Sequence, residues 1–167
     1  MSKAIFPGSF DPIHNGHIKV ILLASRSYDE VYIYVANNEY KNHIADLKMR
    51  YFIVKKAVSS LSLSNVTVFM QKKDEKTPVF AKEKGVNVII RGNVSKDHHL
   101  SEYESRIADE YLELNPDLTF HYFSFQGVED ISSTLVRHYL KTKKSIEGLV
   151  PNSVLTDIKK IWTQGEE

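Results

Sequence analysis

Short runs rich in β-branched and aromatic residues alternate along this chain with segments of helical period, and that alternation limits the fold more than any other feature. The β-rich runs fall at residues 3–6, 30–36, 66–71, 88–90 and 118–123. Helical patterns lie between them at about 16–27, 46–60, 78–84 and 101–114, and two more follow at about 132–140 and 152–162. Strand, helix and strand in succession imply right-handed crossovers and a parallel sheet covered on both faces. The expected fold is α/β: a doubly wound sheet of five parallel strands in a single domain over residues 1–167, with the C-terminal helix packed on it. Val88-Ile89-Ile90 is apolar on both faces, as a central parallel strand should be. Asp46 is placed to cap the second helix, and Thr77 the third, with Pro78 at its first position. Gly85 stands where that helix should stop. Ligands of such sheets bind beyond the carboxyl ends of the strands, so functional residues should stand just after each strand.

Composition removes several function classes. With 22 basic and 21 acidic residues the net charge is +1, which argues against a general nucleic-acid binder. Phosphate chemistry here must use a few placed cations. The chain has no cysteine, so disulfides, thiolate nucleophiles and cysteine-based zinc sites are excluded. The longest apolar run, residues 20–24, is far short of a membrane span, and the run after Lys3 is too short for a signal peptide. A soluble cytoplasmic protein is expected.

The first strand leads into Phe6-Pro7-Gly8-Ser9-Phe10-Asp11-Pro12-Ile13-His14-Asn15-Gly16-His17, which opens the first helix. Gly8 allows close approach of a ligand to the backbone, and Gly16 leaves space for a phosphate or base. His14 and His17 are three apart, on one face of the first turn, where backbone N–H groups favour an anion. Zinc would need a third ligand, and none stands nearby. The whole string resembles the signature of the HxGH nucleotidyltransferases, a superfamily of Rossmann-like fold that includes cytidylyl- and adenylyltransferases. That resemblance implies direct in-line attack of a substrate phosphate on the α-phosphorus of a nucleotide, with His17 stabilising the transition state.

Further stretches narrow the resemblance to the phosphopantetheine adenylyltransferases, from about Ala4 to about Lys159. They are Ala36-Asn37-Asn38-Glu39-Tyr40-Lys41 with Leu47 and Arg50, Val88-Ile89-Ile90-Arg91-Gly92, Glu102-Tyr103-Glu104, and the run from Val128 to Arg137 that holds Ser132, Ser133 and Thr134. The resemblance implies that His17 and Lys41 are catalytic and that Ser9, Lys41, Thr77 and Arg91 meet 4'-phosphopantetheine. It assigns ATP to Ser9, Phe10, His14 and His17 in the first loop, and to Gly92, Asn93, Val94 and Glu104. Val128, Glu129, Asp130, Ile131, Ser132, Ser133 and Thr134 complete the ATP site. Magnesium is expected on the ATP phosphates, held by phosphate and water rather than by protein, and assembly as a homohexamer follows from the same resemblance.

The sequence departs from the family in one place. Members carry a second arginine after Arg-Gly, whereas Asn93 and Val94 stand here and the loop at 93–101 is longer. Lys96 is the expected replacement cation, with His98 and His99 as alternatives. Two other functions remain open on sequence: a nicotinate or nicotinamide mononucleotide adenylyltransferase, and a nucleotide-binding module without catalysis. A dinucleotide-binding dehydrogenase is disfavoured, because the first junction lacks Gly-x-Gly-x-x-Gly.

Overall fold

The computed structural model describes residues 1–92, 101–123 and 130–163. Among these, the strands are β1 (Lys3–Gly8), β2 (Glu30–Val35), β3 (Val66–Met70), β4 (Val88–Gly92) and β5 (Thr119–Phe123). They form one parallel sheet in the order β3-β2-β1-β4-β5. The order reverses direction between β1 and β4, which is where a doubly wound sheet opens a crevice. The helices are α1 (Asn15–Ser27), α2 (Leu47–Ser59), α3 (Thr77–Glu83), α4 (Glu102–Leu114), α5 (Ser133–Lys141) and α6 (Leu155–Trp162). A single 3-10 turn, Asn152–Val154, precedes α6, so the last helix starts later than its periodicity suggests. No helix of the described residues is long and apolar enough to cross a membrane.

The period-2 alternation of the strands sorts their side chains between two cores. Ala4, Phe6, Val31, Ile33, Val35 and Ile90 face α1, α2, α5 and α6, where they meet Val20, Ile53, Val136, Ile158 and Trp162. Ile5, Tyr34 and Ile89 face α3 and α4 and pack with Phe80, Ala81 and Leu118. Each fully buried Val or Ile contributes about 2 kcal/mol, so the first and larger core dominates the stability. On the second face the aromatic rings carry more of the contact, with Tyr34 stacked on Phe80 at 4.3 Å between centroids.

The helix starts follow from capping chemistry, with one correction. Asp46 caps α2 by accepting from Met49 N–H at 2.8 Å. Gly85 takes a φ of +67° after α3, which only glycine adopts cheaply. Thr77, however, does not cap α3. It is the first helical residue, Lys76 precedes it without a side-chain cap bond, and Pro78 lies in the first turn. A proline can take either of the first helical positions without losing a bond, so its presence did not fix the boundary.

Candidate active site

The loop between β1 and α1 is organised by its two histidines. His14 caps α1, its Nδ1 accepting from Gly16 N–H at 3.0 Å and His17 N–H at 3.4 Å. His17 Nδ1 in turn accepts from His14 N–H at 3.1 Å. Both Nδ1 atoms are acceptors, so each neutral ring carries its proton on Nε2. The rings stack with centroids 3.7 Å apart. Burial lowers the His14 pKa to about 4 from 6.5. Burial, then His14, Lys41 and Arg91, hold that of His17 well below the ordinary value. The pair therefore presents neutral N–H donors, fixed by the backbone, at a helix N-terminus. Gly16 borders the cleft and has no room for a side chain, because a Cβ there would meet the His14 ring at 2.7 Å.

Phe10 and Asp11 fix the rest of the loop. Phe10 holds a φ of 50°, unusual outside glycine, and its ring lies against His17 at 4.7 Å and beside Gly8. The buried Asp11 carboxylate accepts from Ile44 N–H at 2.8 Å, from Ala45 N–H at 3.2 Å and from the Trp162 indole N–H at 2.7 Å. It ties the β1–α1 loop to the β2–α2 connection and to α6.

At the start of α5 the three hydroxyls have separate partners. Ser132 caps the helix by accepting from Leu135 N–H at 3.0 Å. Ser133 donates to the Pro12 carbonyl at 2.8 Å, and Thr134 accepts from Arg137 Nη2 at 3.2 Å. Arg137 Nη1 donates to the Asp11 carbonyl at 2.7 Å. This second cation was not foreseen. Its signal was its position three residues after Thr134, which puts it on the same helix face.

Lys41 stands on the loop after β2, with its ammonium 5.7 Å from the centre of the Tyr103 ring. Burial lowers its pKa first, and Arg91 and Arg137 lower it further. Arg50, fully buried on α2, anchors the base of this loop. Its guanidinium donates to the carbonyls of Ala45 at 2.9 Å, Ser9 at 2.8 Å and Ala36 at 3.0 Å, and to the Asn37 side chain. A buried charge is tolerated when hydrogen bonds replace its hydration, and here carbonyl oxygens do so.

Arg91, at the end of β4, donates with two nitrogens to Glu104 on α4, at 2.9 and 2.8 Å. Burial alone would lower its pKa, but the Glu104 bonds outweigh it and raise it. Glu104 and Arg91, assigned to different substrates on sequence, thus form one ion pair at the centre of the cleft. Arg91 keeps a longer contact to the Pro7 carbonyl at 3.4 Å.

The cleft has two lobes. The larger, about 480 Å³, is bordered by Ser9, Phe10, His14, His17, Lys41, Gly92, Ser132, Ser133, Thr134 and Arg137, with Ile131 at its edge. The smaller, about 370 Å³, is bordered by Ala36, Thr77, Pro78, Ile107, Tyr111 and Leu114 and by the carboxylates of Glu39, Glu110 and Glu113. Pro7, Gly8, Ser9, Asn38, Arg91 and Tyr103 border both. Thr77 is buried and borders the smaller lobe together with Tyr111. The structure therefore brings together Ser9, Phe10, His14, His17, Lys41, Arg91, Gly92, Glu104, Ile131 and the three hydroxyls, with Thr77 in the adjoining space. Asp130 is exposed and does not border either lobe. Asn93, Val94, Lys96, His98, His99, Val128 and Glu129 lie outside the described residues.

Known proteins share both the sequence pattern and the fold. The cytidylyltransferase-like family matches residues 5–139. The phosphopantetheine adenylyltransferase of Malacoplasma penetrans is 38% identical over 144 residues, 86% of this chain and 93% of that one. That of Campylobacter fetus is 36% identical and covers 95% of this chain and 98% of its own. That of Nautilia profundicola is 32% identical, covering 94% and 99%. Among solved structures, a Vibrio parahaemolyticus protein provisionally assigned as a nicotinate-nucleotide adenylyltransferase superposes with a TM-score of 0.70. It covers 95% of this chain and 99% of its own at 20% identity, a likeness of fold alone. By its match to the family and by relatives that align along nearly its whole length, the chain belongs to the cytidylyltransferase-like nucleotidyltransferases and, among them, to the phosphopantetheine adenylyltransferases.

Proposed function

We propose that the protein transfers the adenylyl group of ATP to the phosphate of 4'-phosphopantetheine, giving dephospho-coenzyme A and pyrophosphate. The observation that carries this reading is the pair of adjoining lobes: one of imidazole and cationic donors meets, at Ser9 and Arg91, one with an apolar and hydroxyl wall and three carboxylates along its border. The first suits a triphosphate and the second a long, mostly neutral arm.

A phosphate oxygen of the acceptor attacks the α-phosphorus in line, its new P–O bond forming as the bond to the β-phosphate oxygen breaks. No proton has to move and no enzyme intermediate forms. The chain's work is positioning and electrostatics. His17 donates from Nε2 to an oxygen on which charge grows, its direction set by the bond at Nδ1. Lys41 lies beside the seam and offsets repulsion between the two anions. Arg137 takes the outer phosphates, a task the sequence gives to Lys96. Arg91 receives the acceptor's phosphate in place of Glu104. Magnesium supplies further charge neutralisation on the leaving pyrophosphate. The donors suit an ion held by phosphate and water, because the Asp11 and Glu104 carboxylates are taken up by protein donors. The protein acts in the cytoplasm as a homohexamer, which light scattering of the purified chain tests.

Pyrophosphate release is measured with ATP and either 4'-phosphopantetheine or nicotinate mononucleotide. Turnover with the first alone is expected. Turnover with the second alone, or nucleotide binding without turnover, overturns the reading.

A further inference from the structure

We propose that His43 is a positioning residue for this transfer, its imidazole Nε2 holding the Lys41 loop and the Ser9 hydroxyl in one register where the two lobes meet. The kinetic part of the proposal rests on the adenylyl-transfer reading; the structural part does not.

His43 Nε2 is 3.2 Å from the backbone nitrogen of Asn38 and 3.2 Å from Ser9 Oγ. An amide N–H only donates, so Nε2 is the acceptor and the ring proton sits on Nδ1. The hydroxyl of Ser9 then shares the single lone pair of Nε2 with the amide. Asn38 is the first residue of the turn that carries the catalytic lysine: its carbonyl accepts from Lys41 N–H at 3.1 Å and its side-chain oxygen from Tyr40 N–H at 2.9 Å. Pinning Asn38 therefore pins Lys41 relative to the end of β1. Ser9 gains something different. When an anion arrives, its hydroxyl turns from Nε2 to a phosphate oxygen, and Nε2 keeps the Asn38 bond. A donor is thus supplied to the seam without leaving a buried group unpaired.

Protonation would place a ring N–H against the amide N–H of Asn38 and release the loop. The charged groups facing the ring are Arg50 from α2, Asp11 from the β1–α1 loop, Lys41 from its own loop and Arg137 from α5. Burial first, then the three cations against one carboxylate, lower the His43 pKa. The neutral ring, and with it the hold on Asn38, persists to a pH below the ordinary histidine range.

The ligand-free protein is titrated by NMR, following the His43 ring and the Asn38 amide. A common midpoint below about 6.5 is expected, with the Asn38 response absent in His43→Gln. An Asn38 amide that ignores His43 overturns the proposal. In the assay, His43→Ala should lower kcat about tenfold with the KM for ATP changed less than about twofold. His43→Gln offers an acceptor oxygen without a titrating proton. It should restore most of kcat near neutrality and weaken the loss of kcat on the acid side of the ordinary histidine range. A His43→Ala variant with kcat within about twofold of the parent, or an acid limb left unchanged by His43→Gln, also overturns it. If the parent itself releases no pyrophosphate, the transfer reading has failed, and the NMR titration decides the positioning role alone.

Discussion

In the larger lobe of the cleft the backbone aims the polar groups: His14 and His17 are locked by amides of the first turn of α1, and Ser132 by an amide of α5. In the smaller lobe the polar groups include phenols and carboxylates, and there side chain pairs with side chain, as Tyr40 does with Glu110. The first design fixes donors in place before a substrate arrives, so little reorganisation is left for the reaction. The second supplies shape and apolar contact, with few fixed donors. On the proposed reading, chemistry belongs to one lobe and recognition of a long acceptor to the other.

The largest effect expected from this contrast is at His17. His17→Ala should lower kcat by on the order of a hundredfold or more, about 3 kcal/mol, with a smaller change in the KM for ATP. Near-normal kcat would remove the larger lobe from the chemistry. A second effect concerns stability and needs no substrate. Burial lowers the His14 pKa to about 4 from 6.5. Between these values the unfolded chain takes up a proton that the folded chain refuses. Stability should therefore fall as pH drops through that window, by about 3 kcal/mol, and level off below it. Urea unfolding near pH 7 and near pH 4.5 measures this, and His14→Asn, which keeps an N-cap, should show a clearly weaker dependence.

The two arginines should separate the lobes kinetically. Arg137→Ala should raise the KM for ATP by about tenfold and leave that for phosphopantetheine nearly unmoved, while Arg91→Ala should do the reverse. A common rise in both constants would mean that the seam does not divide the substrates. The smallest effect belongs to the apolar wall. Tyr111→Phe removes a hydroxyl from the wall of the smaller lobe and should raise the KM for phosphopantetheine only a few-fold, about 1 kcal/mol, without touching kcat. A fall in kcat there would contradict the division of labour.

The two lobes were also unequally legible in the sequence. The larger is made from contiguous strings, because a strand end and a helix start each place several residues at one point. The string from Phe6 to His17 and the hydroxyls at 132–134 could therefore be assigned before any coordinates. The smaller lobe collects residues from the loop after β2, from α3 and from α4, and no spacing links Thr77 to Tyr111 or Leu114. Strand and helix positions were read to within about three residues because the central strands are covered on both faces, which makes them sharp apolar runs. What failed depended on side-chain geometry. Thr77 was taken for a cap although it is the first residue of its helix, and the close packing of the His14 ring on Gly16 gave no signal. His43 gave no signal, since a lone loop histidine has no periodicity to mark it.

Trp162 is the only tryptophan in the chain, and its indole N–H donates to the Asp11 carboxylate at 2.7 Å. The protein thus carries an optical gauge wired to its nucleotide loop and needing no label. Asp11 borders the larger lobe and not the smaller, so nucleotide entry should shift the indole emission while the acceptor alone leaves it still. Rapid mixing against that signal times the arrival of one substrate independently of the other.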